Sequence, residues 1–427
     1  MIKSIWSEYE LKEYPKLNKD IKTDVLIIGG GISGILCAYY LRESGRDVIV
    51  VEADRVCSKK SRKTTAVITA LQDVMYNELP RAKAKQFLNA NLFALDEYKK
   101  LANKFDFDFE ECSSYKYSKD SAEEIEEEHD YLLSLGINIK YVKDLGLPVK
   151  FEKAIELENQ GQMNPIKLVK ELSKNIKLYE QSPIRKIKDN EAFTDTNKIE
   201  FSSVVVCTGY PFLKLKGLFP LKLHQEKSHV ISVNDTKGFK GNGVGTSDDD
   251  IYFRNYKDEL LLGACDIKTG NNCDGFIPIN DFIVKHFNIK KVNYRWINED
   301  TVSLDKLPYI GKYGSSDNMY VTTGYNLWGM TGSMLGAHVI TDLINGKNNC
   351  YSELFSPSRK VLARPLFENI KTAIKNLISF KKKRCTHLGC RLHYNNVDQT
   401  YECECHGSKF DSKGNVIDTP AQKRTNI

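Results

Sequence analysis

Asp24-Val-Leu-Ile-Ile-Gly29-Gly-Gly31-Ile-Ser-Gly34, followed by Asp47-Val-Ile-Val-Val-Glu52, carries the architecture of this chain. Residues 25–28 are a short apolar, β-branched run, the signature of a strand buried on both faces of a parallel sheet. Glycines follow at once, and a helical segment opens over Ile35 to Glu43. Gly29 permits a tight turn, Gly31 lets backbone approach a pyrophosphate, and Gly34 lets helix and strand pack closely. The phosphates would then sit on the helix N-terminus, where free N–H groups and the dipole favour anions. Glu52 ends the second strand eighteen residues after Gly34, beside Ala53. A carboxylate there accepts hydrogen bonds from ribose hydroxyls. Strand, glycines, helix, second strand and acid stand in the order a dinucleotide-binding unit requires, which a chance Gly-x-Gly-x-x-Gly does not.

The 427 residues suffice for two or three domains, and 41% hydrophobic with 28% charged residues is ordinary globular composition. The net charge of +6 is spread along the chain apart from Lys381-Lys-Lys-Arg384. With no nucleic-acid motif, that cluster reads as a solvated linker face, and no nucleic-acid partner is expected. The start, Met1-Ile-Lys-Ser-Ile-Trp6-Ser-Glu, lacks the apolar core of a signal peptide. No segment reaches the ~18 apolar residues of a membrane span. A cytoplasmic protein without a transmembrane segment is expected. Seven of the eleven cysteines are scattered, as reduced thiols are.

The other four cysteines gather at Cys385-Thr-His387-Leu-Gly-Cys390 and Cys403-Glu-Cys405-His406-Gly-Ser408. Two thiolates and two imidazoles arrive as C-x-H and C-x-x-H, with fifteen residues between His387 and Cys403. Such a set holds a metal centre. A two-iron cluster and a tetrahedral zinc site on Cys385, His387, Cys403 and His406 are both open at this level.

Between the two ends the chain reads as alternating elements. Residues 1–20 form an N-terminal arm. Residues 71–104 read helical, Ser121-Ala-Glu-Glu124 is a capping box, and Asn164-Pro165 opens another helix. The stretch 215–300 alternates in aromatic and β-branched residues, as in an antiparallel sheet inserted into the first domain. A helix follows Thr331, and an amphipathic one covers about 366–380. The domain reading is a dinucleotide-binding domain over 21–84, 150–215 and 300–346, and a substrate or cap domain over 85–149 and 216–299. A linker spans 347–380 and a metal-binding unit 381–427.

The pieces from residue 22 to about 346 resemble the D-amino-acid-oxidase-like flavoproteins, among them glycine oxidase and sarcosine oxidase. The matching segments are Gly29–Gly34 with Glu52, Thr64-Thr65-Ala66, Cys207-Thr-Gly209, Asp305-Lys-Leu-Pro-Tyr-Ile-Gly311, and Thr323-Gly324-Tyr-Asn-Leu-Trp328-Gly329-Met330-Thr331. The tail resembles a Rieske [2Fe–2S] domain, and the fusion is similar to a group of bacterial proteins that share Gln160-Gly-Gln-Met-Asn164-Pro165 and Gly209-Tyr-Pro-Phe212. The resemblance implies an α/β fold, α+β overall. A Rossmann-like FAD-binding domain carries an inserted antiparallel sheet and a small C-terminal cluster domain. It implies FAD at Gly29, Gly31, Ile32, Ser33, Gly34, Glu52, Ala53, Thr64, Thr65, Ala66, Gly209, Gly324, Trp328, Gly329, Met330 and Thr331. It implies iron on Cys385, His387, Cys403 and His406, and a disulfide between Cys390 and Cys405.

Three departures from the family stand out. The second box carries Glu404 where proline is usual, and the strands that precede the first box in Rieske domains are short or missing, so the flavin domain would have to serve as the floor. No arginine follows Arg295-Trp296 to grip a substrate carboxylate. Arg254, with Tyr252, is then the substrate-facing candidate, and no catalytic residue is assigned. The implied activity is FAD-dependent oxidation of a small amine-type substrate. Its electrons pass through the cluster to or from a one-electron protein or quinone-like partner. A plain oxidase with a zinc tail and a non-catalytic redox sensor are the alternatives.

Overall fold

The computed structural model describes residues 3–73, 76–213, 216–235, 237–247, 250–271, 273–287, 291–361, 363–378 and 383–427. Lys381 and Lys382 of the basic cluster lie outside them. The strand Ile21–Ile28 is the centre of an eight-stranded sheet, flanked by Lys198–Val206 on one side and Val48–Val51 on the other, all parallel. Met319–Thr323 and Lys177–Tyr179 extend it in parallel, and Tyr309–Lys312 closes one edge antiparallel. Val25 to Ile28 are buried, as their unbroken apolar run requires. The helix Ile32–Glu43 packs on this sheet beside Gly329–Ile344.

A nine-stranded, mainly antiparallel sheet forms the second layer, with Leu223–Asn234 between Glu259–Lys268 and Tyr294–Ser303. Two boundaries read from the sequence are corrected here. The strand Lys153–Gln162 pairs with Glu110–Ser118 and belongs to the second sheet, although the 150–215 segment assigns it to the first. Residues 300–303 continue the strand Tyr294–Ser303 of the same sheet. Alternation announces a strand but not which sheet supplies its partner. The helix expected over 71–104 is Arg81–Ala102, because Pro80 stands at its N-cap.

The C-terminal unit is a four-stranded sheet: His393–Asn395, Thr400–Glu402, Lys409–Phe410 and Val416–Asp418. The second sheet of the main body lies against this unit. Gln225 Nε2 donates to the carbonyls of Gly407 (3.3 Å) and Thr419. A Cβ on Gly407 would stand 2.4 Å from Cβ of Gln225, so only glycine allows this approach. Beneath it lies a buried ionic network. Lys227 Nζ reaches Asp398 (2.6 Å) and Glu402 (3.0 Å), His229 Nε2 meets Asp398 (3.0 Å), and Lys409 Nζ meets Glu299 (2.6 Å). Burial opposes ionisation of Glu299, but the Lys409 ammonium beside it prevails and holds the carboxyl well below its usual range. Burial and the neighbouring Glu299 push Asp418 up to about 7.

Candidate functional site

A cavity of about 460 Å³ lies along the carboxyl ends of the central strands. Gly29, Gly31, Ile32, Ser33, Glu52, Ala53, Thr64, Gly209, Gly324, Gly329 and Met330 line it. Gly34 stands behind the turn, where a Cβ would come within 1.9 Å of the Gly29 carbonyl oxygen. Glu52 accepts from the Gly30 N–H (2.6 Å) and the Asp54 N–H (2.9 Å), which fixes its carboxylate at the mouth of the glycine turn. The hydroxyls of Ser58, Thr301 and Ser333 face the cavity buried and without a hydrogen-bond partner. Polar atoms left this way call for a polar occupant, and a dinucleotide supplies one.

The turn Arg62–Ala66 is strapped in place by its carbonyls. Ser4 Oγ donates to Arg62, Trp296 Nε1 to Lys63 (2.6 Å) and Trp6 Nε1 to Thr64 (2.6 Å). Arg254 Nη1 donates to Thr65, Ala66 (3.1 Å) and Met163 (3.2 Å). Five consecutive carbonyl groups are thus held by side chains from three distant segments. Ser4 and Trp6 belong to the N-terminal arm, whose sequence carries no signal of this contact. Arg254 is fully buried against the rings of Trp6 and Tyr256. Burial pulls its guanidinium down to about 10. Tyr252 donates to Ser228 Oγ (2.9 Å).

A second cavity of about 60 Å³ shares Thr64, Asp300, Gly329 and Met330 with the first, and Thr65, Trp328, Tyr252 and Arg254 line it as well. Its polar wall is acidic: Asp73, Asp266 and Asp300. Burial pushes Asp73 up to about 6, against the pull of Lys116 and Lys306. Asp266 is raised well above the usual range by burial and by Asp73 facing it, and burial raises Asp300. Trp328 Nε1 donates to Asp73 Oδ2 (3.1 Å), while Asp73 Oδ1 and Asp266 Oδ1 have no partner. Thr331 accepts from Gln72 Nε2 (2.9 Å) behind the turn. None of the three aspartates was singled out by sequence, because isolated acids in loops and strands carry no spacing signal. His224 pairs with Glu226 (2.8 Å), and neither it nor His229 lines either cavity.

The two metal boxes form matching loops. Cys385 N donates to Cys390 O and Cys403 N to Ser408 O, each loop turning at a glycine with φ near +80°, Gly389 and Gly407. The loops bring the Cys385 and Cys403 thiols into hydrogen-bond contact, which lowers Cys385 to about 7 and raises Cys403. The rings of His387 and His406 stand 4.9 Å apart. Nε2 of His406 meets the Pro220 carbonyl oxygen (3.0 Å), so the proton resides there. Nδ1 is buried and has no partner, free to bind a metal. Burial holds His406 down at about 4, keeping the neutral, ligating form. Cys390 and Cys405 form a disulfide that joins the loops, Cα–Cα 6.7 Å. Glu404 accepts from Asn376 Nδ2 (3.1 Å).

The two sites share a wall. Tyr210 lines the larger cavity, and its ring lies edge-on to His387 (5.8 Å) and His406 (6.2 Å). The loop containing Val416, Asp418, Thr419, Pro420, Ala421 and Gln422 lines the same cavity from the cluster side.

A dinucleotide cavity on a parallel sheet, an acid-lined pocket beside it and a two-loop Cys/His centre define a flavoprotein oxidoreductase with an iron–sulfur module. The chain belongs to the family described as FAD dependent oxidoreductase, whose model matches residues 24–343, and the Rieske [2Fe-2S] domain model matches residues 370–427. Its cofactors are FAD and a [2Fe–2S] cluster, which sets aside the zinc reading of the tail. YhfW of Bacillus subtilis (strain 168), which bears the name Rieske 2Fe-2S iron-sulfur protein, is 29% identical over 97% of this chain and 95% of its own. The cytochrome b6-f complex iron-sulfur subunit 2 of Trichormus variabilis is 51% identical over 9% of this chain and 22% of its own, a match of 39 residues. Glycine oxidase from Geobacillus kaustophilus shares the fold, with a TM-score of 0.69 at 16% identity, covering 80% of this chain and all of that one. Among the described residues no helix is long and apolar enough to cross a membrane.

Proposed function

We propose that this protein oxidises a small cationic amine that lacks a carboxylate and delivers the electrons through its Rieske centre to a one-electron protein or quinone-like acceptor. The observation that carries the substrate class is the acidic pocket, where Asp73, Asp266 and Asp300 converge while the guanidinium of Arg254 donates to backbone carbonyls. Burial of Asp73 outweighs the pull of Lys116 and Lys306, and an ammonium ion entering the pocket supplies the charge that offsets the rest. A substrate carboxylate would meet three acids there. Asp73, oriented by Trp328, accepts a proton from the ammonium at a pH above about 6, giving the neutral amine that oxidation requires.

When bound, FAD supplies a two-electron acceptor and the cluster a one-electron carrier. Glu52, the glycine turn and the strapped Arg62–Ala66 turn hold the flavin side, and Cys385, His387, Cys403 and His406 hold the cluster. Tyr210, fully buried, excludes water between them.

The test is anaerobic mixing of the holoprotein with a panel of amines, amino acids and 2-hydroxy acids, followed by flavin absorbance and electron paramagnetic resonance. Bleaching by an amine without a carboxylate, with a reduced-cluster signal, is the expected outcome. Bleaching only by amino acids or hydroxy acids would sink the substrate assignment. Reduced flavin beside a cluster that stays oxidised would sink the route.

A further inference from the structure

The helix Ala363–Ile378 wears its polar side inward. Asn376 is fully buried, with its side chain on Glu404 of the second cluster loop, and Asn369 Oδ1 accepts from Lys268 Nζ (3.2 Å). The outward face is apolar: Phe367 is 69% exposed, Ile374 51%, Leu377 46% and Ile378 67%. These four recur at helical spacing on one stripe, and the exposed Lys371 and Lys375 flank it. From Asn369 to Val397 the sequence holds Lys371, Lys375, Lys381, Lys382, Lys383, Arg384 and Arg391 and not one acid. An apolar stripe bordered by lysines and followed by a basic run is the pattern of a helix lying in the plane of a membrane interface. The apolar side chains enter the headgroup region, and the lysines extend to lipid phosphates.

We infer that this helix docks the protein on the surface of an anionic lipid membrane. The charge is what selects this occupant, since a lipid phosphate surface answers both the bare apolar stripe and the exposed Lys371 and Lys375 along its edge. The placement has a consequence for the cluster. Leu377 lies beside Gly389 of the first cluster loop, and Asn376 holds Glu404 of the second, so both loops stand directly under the docked helix. The inference is independent of the proposed amine chemistry, and its test uses no substrate.

Holoprotein is sedimented with vesicles of equal parts phosphatidylglycerol and phosphatidylcholine, and with vesicles of phosphatidylcholine alone. Binding to the anionic vesicles only, weakened when salt is raised to about 0.5 M, is expected. The variant Phe367→Ser/Ile374→Ser/Ile378→Ser should lose at least about tenfold in affinity with flavin and cluster absorbance intact. Lys371→Glu/Lys375→Glu, which leaves the apolar stripe untouched, should lose about as much. Failure to sediment with either vesicle overturns the inference, as does wild-type binding by both variants. A dimer that the serine variant abolishes, in protein that ignores vesicles, assigns the face to a second copy of this chain and overturns it too.

Discussion

The ring of Tyr210 stands edge-on to the imidazole of His387, with centroids 5.8 Å apart and planes at 81°. Its hydroxyl is buried and has no hydrogen-bond partner, and the Cys403 and Cys385 thiols lie close enough to add to the burial that raises its pKa. A side chain so placed belongs to the flavin domain by sequence and to the cluster by contact. Replacing Tyr210 with Ala should slow cluster reduction by about tenfold, equivalent to about 1.4 kcal/mol in the barrier. Flavin bleaching by substrate should keep its rate. Stopped-flow spectroscopy at flavin and cluster wavelengths separates the two phases, and equal slowing of both would count against a bridging role.

The acidic pocket makes a prediction about pH. Asp73 sits at about 6, so the rate of flavin reduction at low substrate should rise through that pH as the carboxylate ionises. Asp73→Asn should lose the limb near 6 and slow reduction by about a hundredfold or more. A profile that keeps the limb would reassign it to another group. Stability runs the other way. A folded-state pKa above the unfolded value means the native state holds its proton longer. Asp73 and Asp418, raised to about 6 and about 7, therefore stabilise below about pH 4 and lose that contribution as pH rises to about 7. Urea unfolding of the Asp73→Asn variant across this range should show a shallower decline.

Lys227 has no exposed surface and serves two carboxylates of the cluster unit. Lys227→Met leaves Asp398 and Glu402 short of a buried counter-charge, at a cost of about 3–5 kcal/mol. The cluster unit should detach before the main body melts. Its visible absorbance would disappear at a lower temperature than the flavin signal, whereas a single coincident transition would show that the two layers remain one cooperative unit.

Trp6→Phe removes one of the donors that fasten the turn at Thr64, worth about 1 kcal/mol. Flavin should be retained less tightly, by about fivefold in a release assay, with the far-ultraviolet circular dichroism unchanged. Arg254→Met removes the donors to Thr65, Ala66 and Met163 and should release flavin more completely.

The parts legible in sequence are those whose chemistry is local. Gly29, Gly34 and Glu52 lie within one strand–helix–strand unit, so their spacing alone carries their arrangement, and the same holds for the two Cys/His loops. What was not legible depends on pairs far apart in the chain. Trp6 meets Thr64, Tyr210 meets His387, and Lys227 meets Glu402, and no periodicity announces any of these. Lys153–Gln162 shows the same limit for a whole strand, whose alternation is equally compatible with either sheet. Arg254 reads from sequence as the substrate-facing candidate, and residue type alone does not tell a substrate grip from the fastening of backbone carbonyls that Arg254 Nη1 makes.

The wall that Val416 to Gln422 contribute to the dinucleotide cavity bears on how the protein is assembled. The segment that seals the flavin in place is itself positioned by the cluster loops. The Ala421 N–H donates to Ser408 Oγ (3.0 Å), which ties that wall to the second cluster loop. A substitution in the loop therefore reshapes the flavin cavity from the side opposite the glycine turn, without touching any residue of the strand–helix–strand unit.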